Sequence, residues 1–337
     1  MLLFFIKILF LTLLVNYILK KKNFAFDNKS YSSHKKLTSN KAQVPLSGGL
    51  IFIFLVFFSN LSIDYFFFIF VIFLLGFLSD LNILTSARVK ILVQLAIVLL
   101  YIIFSSNYIN SIRINFYDEI YNFLSFKIIF TLFCLLILIN GSNFIDGINT
   151  LSLGYFLIVI VNLIFLSNKI NIQIDNIQLI FSGLLVLYLF NLFEKLYLGD
   201  GGIYSLSFFI GIYLIIISNN NSIISPYYFA LLLWYPAFEN LFSILRRFFY
   251  RKNYFNPDNS HLHQILFLFL KRKFRYKLTV VNSFTGIIIC IYNSFIFYFS
   301  ANYYSSTKNS IIFIIINCFV YCGVYFFLRK KLKNSII

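Results

Sequence analysis

The stretch Asn140-Gly-Ser-Asn143-Phe-Ile-Asp146-Gly-Ile-Asn149-Thr-Leu151 is a polar strip between two long apolar runs of this chain. Its polar residues recur at every third position: Asn140, Asn143, Asp146 and Asn149. On a helical path this spacing puts them on one face, and Gly147 lets the backbone leave that path. Polar groups that face hydrocarbon without a partner are costly. The strip therefore predicts a polar cavity at a membrane surface, with a helix end followed by a polar turn as the alternative.

The composition of the rest of the chain indicates an integral membrane protein. Of the 337 residues, 60% are hydrophobic and only 12% are charged, which is too apolar for a soluble domain. The net charge of +17 does not indicate a nucleic-acid partner, because the basic residues form short blocks between apolar spans, as topology signals do. The four cysteines all lie inside apolar runs, so neither a disulfide framework nor a zinc site is indicated.

We predict an all-α, polytopic membrane protein in which residues 1–337 form a single domain with about eleven transmembrane helices. The spans lie near residues 2–19, 46–62, 64–79, 89–106, 127–145, 151–167, 177–193, 203–218, 226–245, 279–299 and 311–328. The first span lacks a small-residue cleavage site and ends in three lysines, so we expect it to stay attached.

The basic residues divide unequally between the two sides of this topology. If residues 20–45 face the cytoplasm, 23 of the 28 Lys and Arg residues lie on that side. The positive-inside rule then places the N-terminus outside and the C-terminus in the cytoplasm. Three carboxylates from different spans and all three histidines share the cytoplasmic side: Asp80, Asp146, Asp200, His34, His261 and His263. Any chemistry is therefore expected there.

The first two cytoplasmic segments carry motifs that are ambiguous by themselves. His34-Lys35-Lys36, followed by Pro45-Leu-Ser-Gly-Gly49, can approach phosphate oxygens, but it also fits a solvated loop before a helix start. Gly76-Phe-Leu-Ser-Asp80, with Arg88 and Lys90 about two turns later, also fits a charge that reaches water from a helix end.

The later cytoplasmic segments are more specific. In Leu198-Gly-Asp-Gly-Gly202, glycines on both sides of Asp200 allow a tight turn that brings a carboxylate and exposed amides to one metal or phosphate. His261 and His263 lie on one side of an extended segment, where they can bind a metal or phosphates together. Glu239 lies inside a span, where a carboxylate costs about 2–3 kcal/mol unless it meets a cavity or a cation.

In combination and in this order, the five motifs resemble those of the polyprenyl-phosphate N-acetylhexosamine-1-phosphate transferases, of the glycosyltransferase family 4 type. The resemblance covers residues 27–270, and the segments of Asp146 and Asp200 are its most specific parts. The relative that makes the peptidoglycan lipid precursor is less similar, because it has three consecutive histidines where this chain reads His261-Leu-His263-Gln264.

The resemblance implies a magnesium-dependent phosphotransferase (EC 2.7.8.-) in the bacterial inner membrane, with its active site facing the cytoplasm. Such an enzyme moves the sugar 1-phosphate of a UDP-activated N-acetylhexosamine onto undecaprenyl phosphate and releases UMP. The product initiates a lipid-linked cell-envelope glycan such as O-antigen, so the expected partners are the two substrates and the lipid bilayer. Nucleic acid is not an expected partner, and a homodimer stays open.

The resemblance also implies roles for individual residues. Asp200 and Asp146 would be the Mg²⁺ ligands, and His261 and His263 would contact the diphosphate. The expected catalytic residues are Asp80, Asp146, Asp200, His261 and His263. The expected substrate-binding residues are His34, Lys35, Arg88, Lys90, Asn140, Asn143, Asn149, Lys195 and Arg247.

The chain departs from the family pattern at three positions. Ser79-Asp80 replaces two acidic residues, and we expect Asp80 alone to carry their role. Asn149 replaces a second acidic residue, and Asn191, for which the resemblance implies uridine binding, lies one residue closer to Asp200 than usual.

A multi-span transporter is the alternative from another functional class. An odd number of spans and the intramembrane Glu239 are compatible with it. The clustering of acidic residues at one interface and the lack of a repeated half with matching broken spans argue against it.

Overall fold

The computed structural model describes residues 2–26, 44–59, 62–114, 123–251, 260–274 and 276–334, and these residues are helical almost throughout. The helices are α1 (Leu2–Lys22), α2 (Gly48–Phe57), α3 (Ile63–Asp80), α4 (Ala87–Ser105), α5 (Leu124–Ile145), α6 (Leu151–Ile170), α7 (Ile177–Leu192), α8 (Gly199–Asn220), α9 (Pro226–Leu232), α10 (Trp234–Phe249), α11 (Leu262–Lys273), α12 (Leu278–Ser300) and α13 (Thr307–Asn334). The predicted all-α class is confirmed.

The long apolar helices agree with the predicted spans in position. Among the described residues, eight helices are long and apolar enough to cross a membrane, which gives nine candidate spans if the bent pair α9–α10 forms one. The shorter apolar helices α2 and α7 occupy the two remaining predicted spans. The total of eleven crossings and the orientation of the termini stay predictions. Helix α11 lies in a segment for which no span was predicted.

Helix α8 is the centre of the bundle, and its side chains are buried along most of its length. It packs against α2, α3 and α5. Glycines make the close approach possible, because a Cβ atom on Gly49 would lie 2.7 Å from the backbone nitrogen of Gly202. A Cβ atom on Gly76 would lie 2.5 Å from the backbone of Asp200. The glycines of three motifs therefore bring the backbones of α2 and α3 onto the start of α8.

The span formed by α9 and α10 is broken, with an angle of 73° between its two parts. A break inside a membrane leaves backbone groups that need partners. The buried hydroxyl of Tyr155, on α6, donates to the carbonyl oxygen of Leu232 at 2.9 Å and accepts from the backbone N–H of Tyr235 at 3.4 Å. One side chain from a neighbouring helix thus satisfies both sides of the break.

Helix α10 then packs closely on α5. A Cβ atom on Gly141 would lie 2.0 Å from the carbonyl oxygen of Pro236, and Asn240 donates to the carbonyl oxygen of Ile137 at 3.1 Å. This contact brings the middle of α10, with Glu239, beside the polar strip at the end of α5.

The opposite end of the bundle is held by contacts between loops. Arg113 donates to the carbonyl oxygens of Ser222 and Ile224, and the hydroxyls of Ser225 and Thr307 lie 2.9 Å apart. The candidate site lies at the other end, where α3, α5 and α7 finish and α4 and α8 begin.

Candidate active site

The first part of the site is a cluster that we call the acidic centre, formed by Ser79, Asp80, Lys90 and Asp200. Its framework is the carboxylate of Asp80, which accepts the backbone N–H of Asp200 at 2.8 Å and that of Gly201 at 3.0 Å. The first N–H groups of a helix have no acceptor inside the helix, and an anion at that end is favourable. Asp80 therefore caps α8 from the end of α3 and fixes the position of Asp200.

The turn before α8 has the conformation that its glycines predict. Gly199 has φ +76°, and a Cβ atom there would lie 2.6 Å from Oδ2 of Asp80. The expectation that the amides of this turn face a ligand is wrong for Asp200 and Gly201, because Asp80 accepts both. Glycine is needed here for backbone conformation and for close packing.

The carboxylate of Asp200 faces α3 and α4. Its Oδ2 accepts the hydroxyl of Ser79 at 2.6 Å and lies 3.4 Å from Nζ of Lys90. The Asp200 side chain keeps 28% of its surface exposed, so a ligand from solution can reach it. Ser79, which stands where the resemblance implies a second acidic residue, thus orients the carboxylate that the same resemblance implies as a metal ligand.

The donor set at the acidic centre suits a hard cation only in part. Mg²⁺ in proteins is held by one or two carboxylates together with water and substrate phosphate oxygens. Within the described ranges, no group of three or more His, Cys, Asp or Glu side chains is arranged to hold a metal ion. Asp200 fits a Mg²⁺ ion that takes further ligands from a bound diphosphate, and the role of Asp146 as a second ligand stays a prediction.

Helix α4 connects the acidic centre to the polar strip. Gln94 lies one turn beyond Lys90, and its Oε1 accepts the side-chain amide of Asn140 at 3.1 Å. The same amide also donates to the carbonyl oxygen of Leu136. Asn143 follows on α5 and is partly exposed. Asn140 and Asn143 therefore lie on the side of α5 that leads from the acidic centre toward Asp146.

The polar strip changes from helix to turn at Asp146. Helix α5 ends at Ile145, and the partly exposed carboxylate of Asp146 accepts the hydroxyl of Ser152. The backbone leaves the helical path beside Gly147, as predicted, and the positive φ of the turn that follows, +68°, falls on Thr150. The expected single face of four residues is therefore interrupted after Asp146.

Asn149 is turned into the protein by this change of direction. It is 6% exposed, its side-chain amide donates to Glu194 at 3.0 Å, and its backbone N–H donates to Asn282 at 3.2 Å. Asn191 accepts the backbone N–H of Thr150 at 2.6 Å. These contacts fit residues that hold the turn in place, and the expected contact of Asn149 with substrate stays untested.

The second part of the site is a cluster that we call the histidine cluster, formed by Glu239, His261 and His263. Nδ1 of His261 lies 2.9 Å from Oε1 of Glu239, and Nδ1 of His263 lies 4.0 Å from Oε2. The two imidazole rings are nearly parallel, with centroids 5.5 Å apart, and the ring of His261 also packs on Phe144. The two histidines lie together as predicted, but the expectation of an extended segment is wrong, because His263 lies in the first turn of α11 and only His261, which precedes this helix, is extended.

The histidine cluster adjoins the turn of the polar strip. A Cβ atom on Gly147 would lie 3.6 Å from Nε2 of His263. His263 is fully buried, and this burial lowers its pKa to about 3, so the ring is neutral near pH 7. The structure therefore brings together Asp146, His261 and His263, which come from segments that are far apart in sequence.

The remaining described basic residues that were predicted to bind substrate lie outside the acidic centre and the histidine cluster. Arg88 is exposed near the acidic centre, and Lys195 is exposed near the polar strip. Arg247, on α10, is buried, with 8% of its surface exposed. His34 and Lys35 lie outside the described residues.

Sequence reasoning did not assign roles to Glu194 and Asn282, which hold the turn of the strip. Glu194 stands next to Lys195 in a segment predicted to lie in the cytoplasm, and the structure buries it. Asn282 lies in a span 133 residues beyond Asn149, and no local motif marks it. Glu239 was noted for its position within a span, but its partnership with the histidines was not predicted.

Comparison with known proteins gives two matches. Residues 62–218 match the family model described as Glycosyl transferase family 4. An undecaprenyl-phosphate alpha-N-acetylglucosaminyl 1-phosphate transferase of Thermotoga maritima is 29% identical over 261 residues, which are 76% of this chain and 77% of that protein. The matched family segment contains the acidic centre and the polar strip, and the histidine cluster follows it.

Proposed function

We propose that this chain, which belongs to glycosyl transferase family 4, transfers a sugar 1-phosphate from a nucleotide sugar to a polyprenyl phosphate. The observation that carries the proposal is the acidic centre at one end of the bundle. There, Asp80 on α3 caps α8, and Lys90 on α4 lies beside the partly exposed Asp200. A transferase that joins a lipid substrate to a soluble one needs such a site at the membrane surface.

The acceptor in this proposal is undecaprenyl phosphate and the transferred sugar is an N-acetylhexosamine, as the name of the Thermotoga relative suggests. The donor is the UDP-activated form of this sugar, as the resemblance of the motifs implies. An oxygen of the lipid phosphate attacks the phosphorus next to the sugar, and the bond from this phosphorus to the oxygen of UMP breaks. The products are UMP and a polyprenyl diphosphate sugar. This lipid-linked sugar would begin a cell-envelope glycan such as O-antigen.

Two phosphorylated substrates repel each other, so the site must supply positive charge. Two unit charges 4 Å apart interact by about 4 kcal/mol at an effective dielectric of 20. Lys90 lies beside Asp200, and Arg88 is exposed on the same first turn of α4. Asp200 would hold Mg²⁺ together with the diphosphate, and the ion would stabilise the charge of the UMP leaving group.

Within this proposal Asp80 positions Asp200 and does not act as a base. Both of its oxygens accept backbone N–H groups of α8, and a phosphate near neutral pH is already largely ionised. Asp146 and the histidine cluster would contact the nucleotide and diphosphate from the other side, with Asn140 and Asn143 between the two parts. Asn149 would act by holding the turn.

The site is proposed to face the cytoplasm of a bacterial inner membrane. The support is the excess of basic residues on the loops of that side, together with a UDP-sugar substrate that is cytoplasmic. The end of the bundle that carries the acidic centre also carries the histidine cluster, as this placement requires.

The test is UMP release by the purified protein in detergent, given undecaprenyl phosphate, magnesium and a UDP-N-acetylhexosamine. We expect UMP and a lipid-linked sugar in equal amounts, and no UMP when the lipid is omitted. A panel of UDP-N-acetylhexosamines identifies the sugar. Failure of every donor to yield UMP would contradict the proposal.

The transporter alternative loses its main support in the structure. Glu239, the carboxylate that suggested a charged pathway through the membrane, is fully buried and paired with His261. No specific contact among the described residues favours transport over transfer.

A further inference from the structure

Glu239 is a fully buried carboxylate that contacts the start of the histidine segment in two ways. Its Oε1 lies 2.9 Å from Nδ1 of His261 and accepts the backbone N–H of Leu262 at 3.3 Å. Leu262 is the first residue of α11, so the carboxylate also supplies an acceptor and a negative charge to a helix N-terminus. A single oxygen on α10 thus holds both the ring of His261 and the helix that follows it.

The surroundings of Glu239 exclude water and offer it further polar groups. Its Oε2 faces Nδ1 of His263 at 4.0 Å, and the buried hydroxyls of Tyr235 and Tyr321 lie near the same carboxylate. A buried carboxylate persists when it is paired and hydrogen-bonded. The pairing with His261 therefore explains a charge that had no explanation at the level of sequence.

The ring of His261 is held on its other sides as well. It packs on the ring of Phe144 with centroids 4.8 Å apart and on His263, and its own backbone N–H donates to Oε1 of Gln264 at 3.3 Å. Rotation of the ring would break the contact with Glu239 and the stacking on both neighbours. The imidazole is consequently fixed in orientation as well as in position.

We propose that Glu239 is a positioning residue, which keeps a proton on Nδ1 of His261 and so presents the opposite ring nitrogen, Nε2, to a phosphate group of the substrate. This inference deepens the proposed function and rests on it. Because a carboxylate accepts and does not donate, the nitrogen that faces it must carry the proton. With Nδ1–H bonded to the carboxylate, Nε2 lies on the opposite side of the ring, and in the imidazolium form, in which both ring nitrogens are donors, Nε2–H donates to an oxygen of the diphosphate.

The protonation of the ring can be measured directly, because the chain has only three histidines. The probe is the ¹⁵N-histidine-labelled full-length protein in detergent at pH 8, observed by two-bond nitrogen–proton correlation without substrate. Variants His261→Asn and His263→Asn assign the signals. We expect His261 to be protonated on Nδ1 in the wild-type protein and in Glu239→Gln, whose amide oxygen still accepts both bonds. In Glu239→Met, which has similar size and no oxygen, we expect loss of that state.

Wild-type His261 protonated only on Nε2 would overturn the inference. So would an unchanged His261 signal in a folded Glu239→Met protein. Gel filtration of each variant shows whether it has folded. If Glu239→Met does not fold, Glu239→Gln still tests the inference, because loss of the proton on Nδ1 of His261 in that variant would contradict it. These spectra do not depend on sugar transfer, so failure of the positioning role is distinguishable from failure of the proposed function.

A double-mutant cycle in the UMP-release assay then tests whether Glu239 acts through His261. We expect Glu239→Met to reduce turnover about 100-fold or more in the wild-type background, and less than about threefold in the His261→Asn background. Glu239→Gln should keep turnover within about tenfold of wild type, as rescue by the conservative variant requires. Independent, multiplicative effects of the two substitutions would contradict action through His261.

The matched control is Asn162→Leu, which removes a buried polar side chain elsewhere in the bundle. Asn162 donates to the carbonyl oxygen of Phe297 at 3.1 Å and accepts the hydroxyl of Tyr228, away from both parts of the site. Its effect should multiply with that of His261→Asn. A coupling as large as that of Glu239 would show that the cycle reports general loss of stability, and it would overturn the inference.

Discussion

Replacing Asp80 by Asn tests whether this carboxylate acts by capping α8. In the structure its two oxygens accept the N–H groups of Asp200 and Gly201 at 2.8 and 3.0 Å. The amide of Asn keeps one acceptor but turns an NH₂ group toward the second N–H. A hydrogen bond to a charged group contributes about 1.5–3 kcal/mol, so we expect local stability at this helix end to fall by about 2–4 kcal/mol.

Hydrogen–deuterium exchange of a peptide that begins at Gly199 measures this loss. The first amides of α8 have no acceptor within the helix, so their protection depends on Asp80. A loss of about 2–4 kcal/mol predicts exchange about 30- to 900-fold faster in Asp80→Asn. Asp64→Asn is the matched control, because Asp64 is an exposed carboxylate at the other end of the same helix. It should leave the exchange of this peptide unchanged.

The same variant distinguishes capping from proton transfer. If Asp80 caps α8, Asp80→Asn should lower turnover at least about 100-fold and also raise the magnesium concentration needed for half-maximal UMP release, because Asp200 moves. The capping role would be refuted if Asp80→Asn lost turnover but kept slow exchange and an unchanged magnesium requirement. That result would indicate that Asp80 acts as a base.

Four further predictions follow from the structure. Asp200→Asn should reduce UMP release at least about 100-fold at limiting magnesium with normal expression, and near-normal turnover would exclude it as a metal ligand. Ser79→Ala, which removes the 2.6 Å bond to Asp200, should cost less than about tenfold and raise the magnesium requirement; a severe loss with an unchanged requirement would indicate a direct catalytic role. In intact cells, a cysteine at the exposed Asn220 should react with an impermeant reagent and one at Ser33 should not, and the reverse pattern would invert the orientation. His263 has a folded-state pKa near 3, below its unfolded value of 6.5, so the unfolded chain binds more protons between these values; stability should fall by about 2 kcal/mol from pH 7 to pH 5, and His263→Gln should remove that dependence in unfolding measurements.

The sequence was sufficient for the helical architecture, because the bilayer imposes a length and an apolar composition that can be read directly. Every predicted span falls on a helix or on the bent pair, including the short α2 and α7. The break after Leu232 coincides with Pro236, which lacks the N–H that would bond the carbonyl oxygen of Leu232 in a continuous helix. The hydroxyl of Tyr155, which bonds this oxygen instead, comes from another helix and was not predictable. Such a contact has no local signature in either segment.

The residue types of the candidate site could be predicted from the sequence, but the role of each residue could not. Glycines beside Asp200 indicated a ligand-binding turn, whereas two of the amides bind Asp80 and the glycines also serve helix packing. The regular spacing of Asn149 indicated a shared face, but the chain leaves the helix at Asp146 and turns Asn149 inward. These differences arise from tertiary contacts with α3, α7 and α12, which a pattern within one segment cannot report.

The pairing of distant segments at the acidic centre bears on how the protein is made. Asp80 and the amide it accepts from Asp200 are 120 residues apart, and the contact of Asn149 with Asn282 spans 133 residues. At translation rates of about 5–20 residues per second, α3 waits about 6–24 s in the membrane before α8 is synthesised. A nascent chain that ends before α12 has the carboxylates of the acidic centre but lacks Asn282, so the turn of the polar strip gains this partner only after α12 has been synthesised.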